Sequence, residues 1–109
     1  MQQCVTRRAR NEPVQYIVGE WDFYNLRNIK VRPPTLIPRP ETEELVEIVL
    51  SSFVHMHPPR LLEVGPGSGA ISIALLKEWP TSKGLAVELC LHAVLHTLLP
   101  SFCPLACLS

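Results

Sequence analysis

An acid at the end of an apolar run, followed by three glycines at alternate positions, carries most of the chemistry this sequence could do: Glu63-Val64-Gly65-Pro66-Gly67-Ser68-Gly69. Glycine adopts backbone conformations that a side chain obstructs, so such a run turns sharply. It also lets a ligand lie against the main chain without meeting a Cβ. A helix that follows directs its first N–H groups, unpaired within the helix and partly positive, toward the same point. In dinucleotide loops the spacing is G-x-G-x-x-G, and the pyrophosphate rests on those amides. Here the spacing is G-x-G-x-G, and Ala70 stands where the last glycine would be. That argues against the competing enzyme class, a nucleotide-binding oxidoreductase. A further acid, Glu88, follows about 20 residues beyond the loop, where an acid ending the next strand accepts hydrogen bonds from ribose hydroxyls. The plainer alternative is a structural glycine turn with two incidental acids; the strand and helix around it favour a cofactor cradle.

Several elements must position these residues. Residues 61–64 form a short apolar run without polar alternation, as in a buried parallel strand. Residues 70–79 read as a helix with Ile71, Ala74 and Leu75 facing inward, stopped by Pro80. Strand, loop and helix make the first half of a βαβ unit. Upstream, a helix opens near Pro40 or Glu41, with Glu41, Glu43 and Glu44 in its first turn. The helix dipole favours anions there, which explains the acids better than a metal site does. Leu45, Ile48, Val49, Phe53 and Met56 then give one apolar face, and the helix ends before Pro58. Residues 33–40, PPTLIPRP, are a stiff linker, since each proline extends its predecessor. Residues 14–32 are rich in β-branched and aromatic types and read as a β-hairpin, with Ile17, Trp21 and Phe23 on one parity and Tyr16, Val18 and Tyr24 on the other. The turn is expected over residues 25–28, where Asn28 tolerates a left-handed backbone. Trp21 and Phe23 are expected to pack on a neighbouring element.

The 109 residues carry 10 basic and 10 acidic side chains, a balance that points to neither nucleic acid nor an anionic membrane surface. The opening residues show no apolar leader segment, so the four cysteines are expected to be reduced intracellular thiols. Arg7, Arg8 and Arg10 precede the first acid, faintly like an organelle-import segment, but the stretch is short and a solvated helix end explains them better. Residues 84–109 hold one Asp, Glu, Lys or Arg, namely Glu88. The apolar stretch within them is interrupted by Glu88, His92 and His96 and stopped by Pro100. It falls short of the ~20 apolar residues that a membrane span requires. His92 and His96 lie four apart with Cys90, Cys103 and Cys107 nearby, but the spacing matches no zinc pattern, and no metal is expected.

With the upstream residues added, the pattern becomes specific. Glu12-Pro13-Val14-Gln15-Tyr16-Ile17-Val18-Gly19, then Phe23, then Leu36-Ile37-Pro38-Arg39-Pro40-Glu41-Thr42-Glu43, together with the glycine loop, resemble the release factor glutamine methyltransferases of the HemK/PrmC type. The resemblance covers about residues 10–83, and the run at residues 37–43 is its most distinctive part. It implies an α/β fold, an incomplete Rossmann-like class I methyltransferase domain preceded by a β-hairpin linker. It implies S-adenosyl-L-methionine as cofactor, bound through Gly65, Pro66, Gly67, Ser68, Gly69 and Glu88, the last in register with a family acid that is usually aspartate. Glu63 would help hold the ammonium end. The implied substrate is the glutamine of the Gly-Gly-Gln motif in a peptide chain release factor. A monomer is expected, in a mitochondrion if the source is eukaryotic and otherwise in the cytoplasm.

Two departures shape the expected organisation. The family's Asn-Pro-Pro-Tyr motif, which orients the substrate amide, occurs nowhere in these residues. An amide nitrogen is a poor nucleophile that depends on orientation. No catalytic residue is therefore assigned, and the chain is expected to be inactive; the alternative is a non-catalytic binding or regulatory fragment. The matching region also begins almost at Met1, and the sequence beyond about Lys83 departs from the family. The expected division is residues 1–13 as a remnant of an N-terminal helical domain, 14–40 as hairpin and proline-rich linker, 41–83 as the start of the methyltransferase domain, and 84–109 as a divergent apolar tail, as in a truncated isoform.

Overall fold

The computed structural model describes residues 2–89 and the backbone of residues 103–104. Helix α1 (Gln2–Ala9) and a single turn of helix, α2 (Val14–Val18), lead into a hairpin of β1 (Glu20–Phe23) and β2 (Leu26–Lys30). Helix α3 (Pro40–Ser52), strand β3 (Arg60–Val64), helix α4 (Ala70–Glu78) and strand β4 (Lys83–Val87) follow, with a short β5 (Cys103–Pro104). The hairpin is antiparallel, and β3, β4 and β5 form a parallel sheet in that order. Leu62 pairs with Leu85 and Val64 with Val87. The result is a mixed α/β fold with two short sheets.

The hairpin is shorter than residues 14–32. Its first five residues are helical because Pro13 presets the entry and Gly19 takes a left-handed φ of 81° at the exit, donating its N–H to the Gln15 carbonyl. Arg7 then caps that turn: its guanidinium donates to the carbonyls of Tyr16 and Ile17 and pairs with Glu12. Arg7 is thus half-buried and structural, whereas Arg8 and Arg10 are exposed. The hairpin turn lies at Tyr24 and Asn25, not at residues 25–28, with Tyr24 at φ 50°. Asn28 does take a left-handed φ of 55°, but within β2. There its N–H is tied to the Asp22 carboxylate, which Arg27 also bonds.

Helix α3 opens at Pro40 with Glu41 and Glu43 in its first turn. Its buried face matches the expected one only in part, through Val49 and, just beyond the helix, Phe53. Val46 is fully buried, with Val49 and Leu50 against the core, while Leu45, Ile48 and Met56 face outward. Apolar residues nearly surround this helix, so two stripes are available at three- and four-residue steps, and the hairpin and α4 select the one through Val46. The core joins Phe23 and Leu26 of the hairpin region, Val46 of α3, and Ala70, Ala74, Leu75 and Trp79 of the α4 segment. Phe53 meets Trp79 edge to face, with ring centroids 5.9 Å apart. As expected, Phe23 packs onto a neighbour, but Trp21 stays on the surface.

Strand β3 is parallel to β4 but covered on one face only. Leu61 and Glu63 lie on the covered side, whereas Leu62 is 61% and Val64 77% exposed. No helix among the described residues covers that side or is long and apolar enough to cross a membrane. The expectations on Cys90, His92, His96 and Cys107, and on the side chain of Cys103, lie outside the described residues.

Candidate functional site

The carboxyl ends of β3 and β4 meet at the glycine loop. Gly65 donates its N–H to the Val87 carbonyl at 2.7 Å, continuing the strand pairing into the turn. Three left-handed residues then reverse the chain: Gly65 at φ 70°, Gly67 at 56° and Gly69 at 74°. A side chain would be strained at each of them. Among the described residues, a Cβ at Gly65 would meet nothing within 4 Å, and one at Gly67 would meet the Thr35 methyl at 3.9 Å. The glycines therefore leave a cradle against the backbone that a side chain would fill. Pro66 and Ser68 lie half-buried between them, and the Gly69 N–H closes the turn on the Pro66 carbonyl at 2.8 Å.

Helix α4 leaves this loop with Gly69 at its N-cap and no side-chain cap. Its first amides and the positive end of its dipole adjoin the cradle, the usual setting for a negatively charged or strongly polar ligand group. On the other strand, Glu88 directly follows β4 and accepts the Gly67 N–H at 3.1 Å through Oε2. The loop and the second acid, 21 residues apart, thus sit in one place.

Glu63 has a structural partner in addition to its expected role. Its side chain lies on the covered face of β3, where it accepts a hydrogen bond from the Ser72 hydroxyl of α4. Burial pushes the Glu63 carboxyl above its ordinary value, and the Ser72 contact works against that rise. This acid braces the helix against the strand.

Three contributors were not foreseen in the sequence. Ser72 is fully buried amid apolar neighbours, and only its pairing with Glu63 explains it. Thr35, in the proline-rich linker, is 5% exposed and touches the loop at Gly67. Tyr16 donates its hydroxyl to the Thr35 carbonyl at 2.6 Å, fastening the linker from the N-terminal side. A threonine between a proline pair and an apolar pair was the one available hint, since a short polar residue inside a stiff linker has to find a partner or a purpose. Among the described residues, no group of three or more His, Cys, Asp or Glu side chains could hold a metal ion.

No family model matches the chain. It is 48% identical over 97 residues to human "MTRF1L release factor glutamine methyltransferase", an alignment covering 79% of this chain and 28% of that protein. It is 46% identical to the release factor glutamine methyltransferase of Nitratidesulfovibrio vulgaris, covering 80% of this chain and 29% of the relative. Against the enzyme of the same name from Vibrio cholerae the identity is 43%, over 82% of this chain and 30% of the relative. The chain spans less than a third of the length of these relatives. Across bacteria and human the similarity returns one name, and over about four fifths of its length this chain belongs to the release factor glutamine methyltransferase family.

Proposed function

We propose that this chain is the cofactor-binding segment of a Rossmann-like class I methyltransferase and that its glycine loop binds S-adenosyl-L-methionine. The observation that carries this reading is the hydrogen bond from Gly67 to Glu88. It joins an open glycine cradle, an uncapped helix start and an acid at the ends of two parallel strands. The crevice beyond the carboxyl ends of parallel strands is where such sheets take ligands. The first turn of α4 suits a carboxylate, and Glu88 suits ribose hydroxyls. The bound cofactor would supply the methyl group; these residues bind and orient it.

The family substrate proposed for the whole enzyme is the glutamine of the Gly-Gly-Gln motif in a peptide chain release factor, modified on its side-chain amide nitrogen. No Asn-Pro-Pro-Tyr occurs in the 109 residues, so these residues by themselves are proposed to bind cofactor without catalysing transfer. A mitochondrial setting forms part of the same reading. It is supported by the similarity to the human relative.

Isothermal titration of the full chain with S-adenosylmethionine and, separately, with NAD tests the proposal. Heat with the first and none with the second is expected. Heat with NAD alone would return the loop to the oxidoreductase class. Heat with neither would leave a fragment that binds no cofactor.

A further inference from the structure

Thr35 combines three properties found together at no other described residue. It is 5% exposed, its Oγ1 is buried without a hydrogen-bond partner, and its methyl lies 3.9 Å from where a Gly67 Cβ would be. The rest of the residue is fully engaged. Its N–H is donated to the Arg32 carbonyl at 2.9 Å, and its own carbonyl accepts the Tyr16 hydroxyl at 2.6 Å. The main chain is thus fixed on both sides, while the hydroxyl alone is unsatisfied and the methyl faces the loop at Gly67. A buried hydroxyl without a partner is unfavourable, and such a group in a native fold calls for an explanation.

Thr35 and Glu88 reach Gly67 from different directions, the acid at its N–H and the threonine along the line its side chain would take. A ligand whose ribose is held by Glu88 would present its other end toward the remaining side of the loop. There the start of α4, whose N-cap Gly69 supplies no side-chain cap, favours negative charge. Threonine has two heavy branches at Cβ, and rotation of χ1 by one staggered well carries the hydroxyl into the methyl's place and the methyl into the hydrogen's. The hydroxyl then occupies the position beside Gly67, where it can donate to an anionic oxygen.

We propose that the Thr35 hydroxyl is a hydrogen-bond donor to the carboxylate of the cofactor's amino-acid end, held in place by Tyr16; this rests on the reading of the loop as an S-adenosylmethionine site. The fold itself gives the hydroxyl no partner, and the bound carboxylate would supply one.

The test titrates the full chain and its Thr35→Val and Thr35→Ser variants with S-adenosylmethionine and with 5′-methylthioadenosine, which keeps the nucleoside and the sulfur but lacks the amino-acid end. Thr35→Val is expected to weaken S-adenosylmethionine about tenfold, as loss of one charge-assisted bond does, while methylthioadenosine stays within about twofold. Thr35→Ser keeps the hydroxyl and is expected to stay within about threefold for both. Without ligand, Thr35→Val is expected to resist urea at least as well as the parent, because it buries no unpaired hydroxyl. Equal losses for both ligands, no loss for either, or a Thr35→Val protein that unfolds at lower urea would each overturn the assignment. If the parent chain takes up neither ligand, the cofactor reading itself fails, and this proposal falls with it.

Discussion

The backbone N–H of Tyr24, at the tip of the hairpin, is donated to the Glu43 carboxylate in the first turn of α3, at 2.9 Å. Glu43 closes the most distinctive stretch of the sequence, residues 37–43, and beyond matching the helix dipole it docks the hairpin onto α3. At the same turn the Asn25 amide donates to the Glu78 carboxylate, and the Lys77 ammonium to the Asn25 carbonyl. The hairpin tip is therefore gripped by both helices that carry the core.

Glu43→Ala is accordingly expected to lower stability by about 1–3 kcal/mol, the range for losing a part-buried hydrogen bond to a charged acceptor. Glu43→Gln, which keeps an acceptor oxygen, is expected to cost less than half of that. Urea titrations of the two variants side by side decide this, and equal losses would mean that Glu43 acts through its charge alone.

The pH response of Glu63 has a definite sign. Its folded pKa is raised by burial, so the folded chain holds this proton more tightly than the unfolded chain does. Its contribution is fully present below the ordinary value of 4.5 and is lost as pH rises through the folded value. Glu63→Gln keeps an acceptor for Ser72 and carries no charge. Its stability relative to the parent is expected to increase from pH 4.5 upward, read as the difference in urea midpoints across that window. Glu12 and Asp22, held low mainly by their side-chain bonds to Arg7 and Arg27, act in the opposite sense in both proteins and cancel in the difference.

Gly65→Ala separates fold from binding. The left-handed φ of 70° makes alanine cost about 1–2 kcal/mol, without any clash to add to it. The added methyl points into the cradle, so uptake of S-adenosylmethionine is expected to fall more than tenfold while the protein remains folded. Retained affinity in a folded Gly65→Ala chain would place the ligand elsewhere.

Arg7→Lys keeps the charge but loses the planar fork that reaches Glu12 and two carbonyls at once. Faster hydrogen exchange is expected at the Gly19 amide, which closes α2 on Gln15, with the β3–β4 pairing unaffected. Unchanged exchange at Gly19 would show that Pro13 and Gly19 alone hold the turn.

Much of the site was legible in the sequence because it is local. A strand, three alternating glycines and a helix are set by backbone rules within a dozen residues, and Glu88 follows at the interval that parallel pairing imposes. The features that escaped depend on distant partners. Ser72 looks out of place until β3 brings Glu63 beneath it, and the Thr35 hydroxyl acquires meaning only when Tyr16 folds its linker against Gly67. The short helix α2 hid in β-prone residues because Arg7 and Gly19 stabilise its exit. The face of α3 was chosen by tertiary packing between two nearly equivalent stripes.

The two tryptophans differ sharply in surroundings: Trp79 is 3% exposed against Phe53, and Trp21 is 38% exposed on the hairpin. The chain therefore carries a pair of intrinsic optical reporters. Acrylamide should quench the red-edge emission of Trp21 first and leave a bluer, shielded component from Trp79. Loosening of the hairpin and opening of the core can then be followed separately in one cuvette, without attaching a dye.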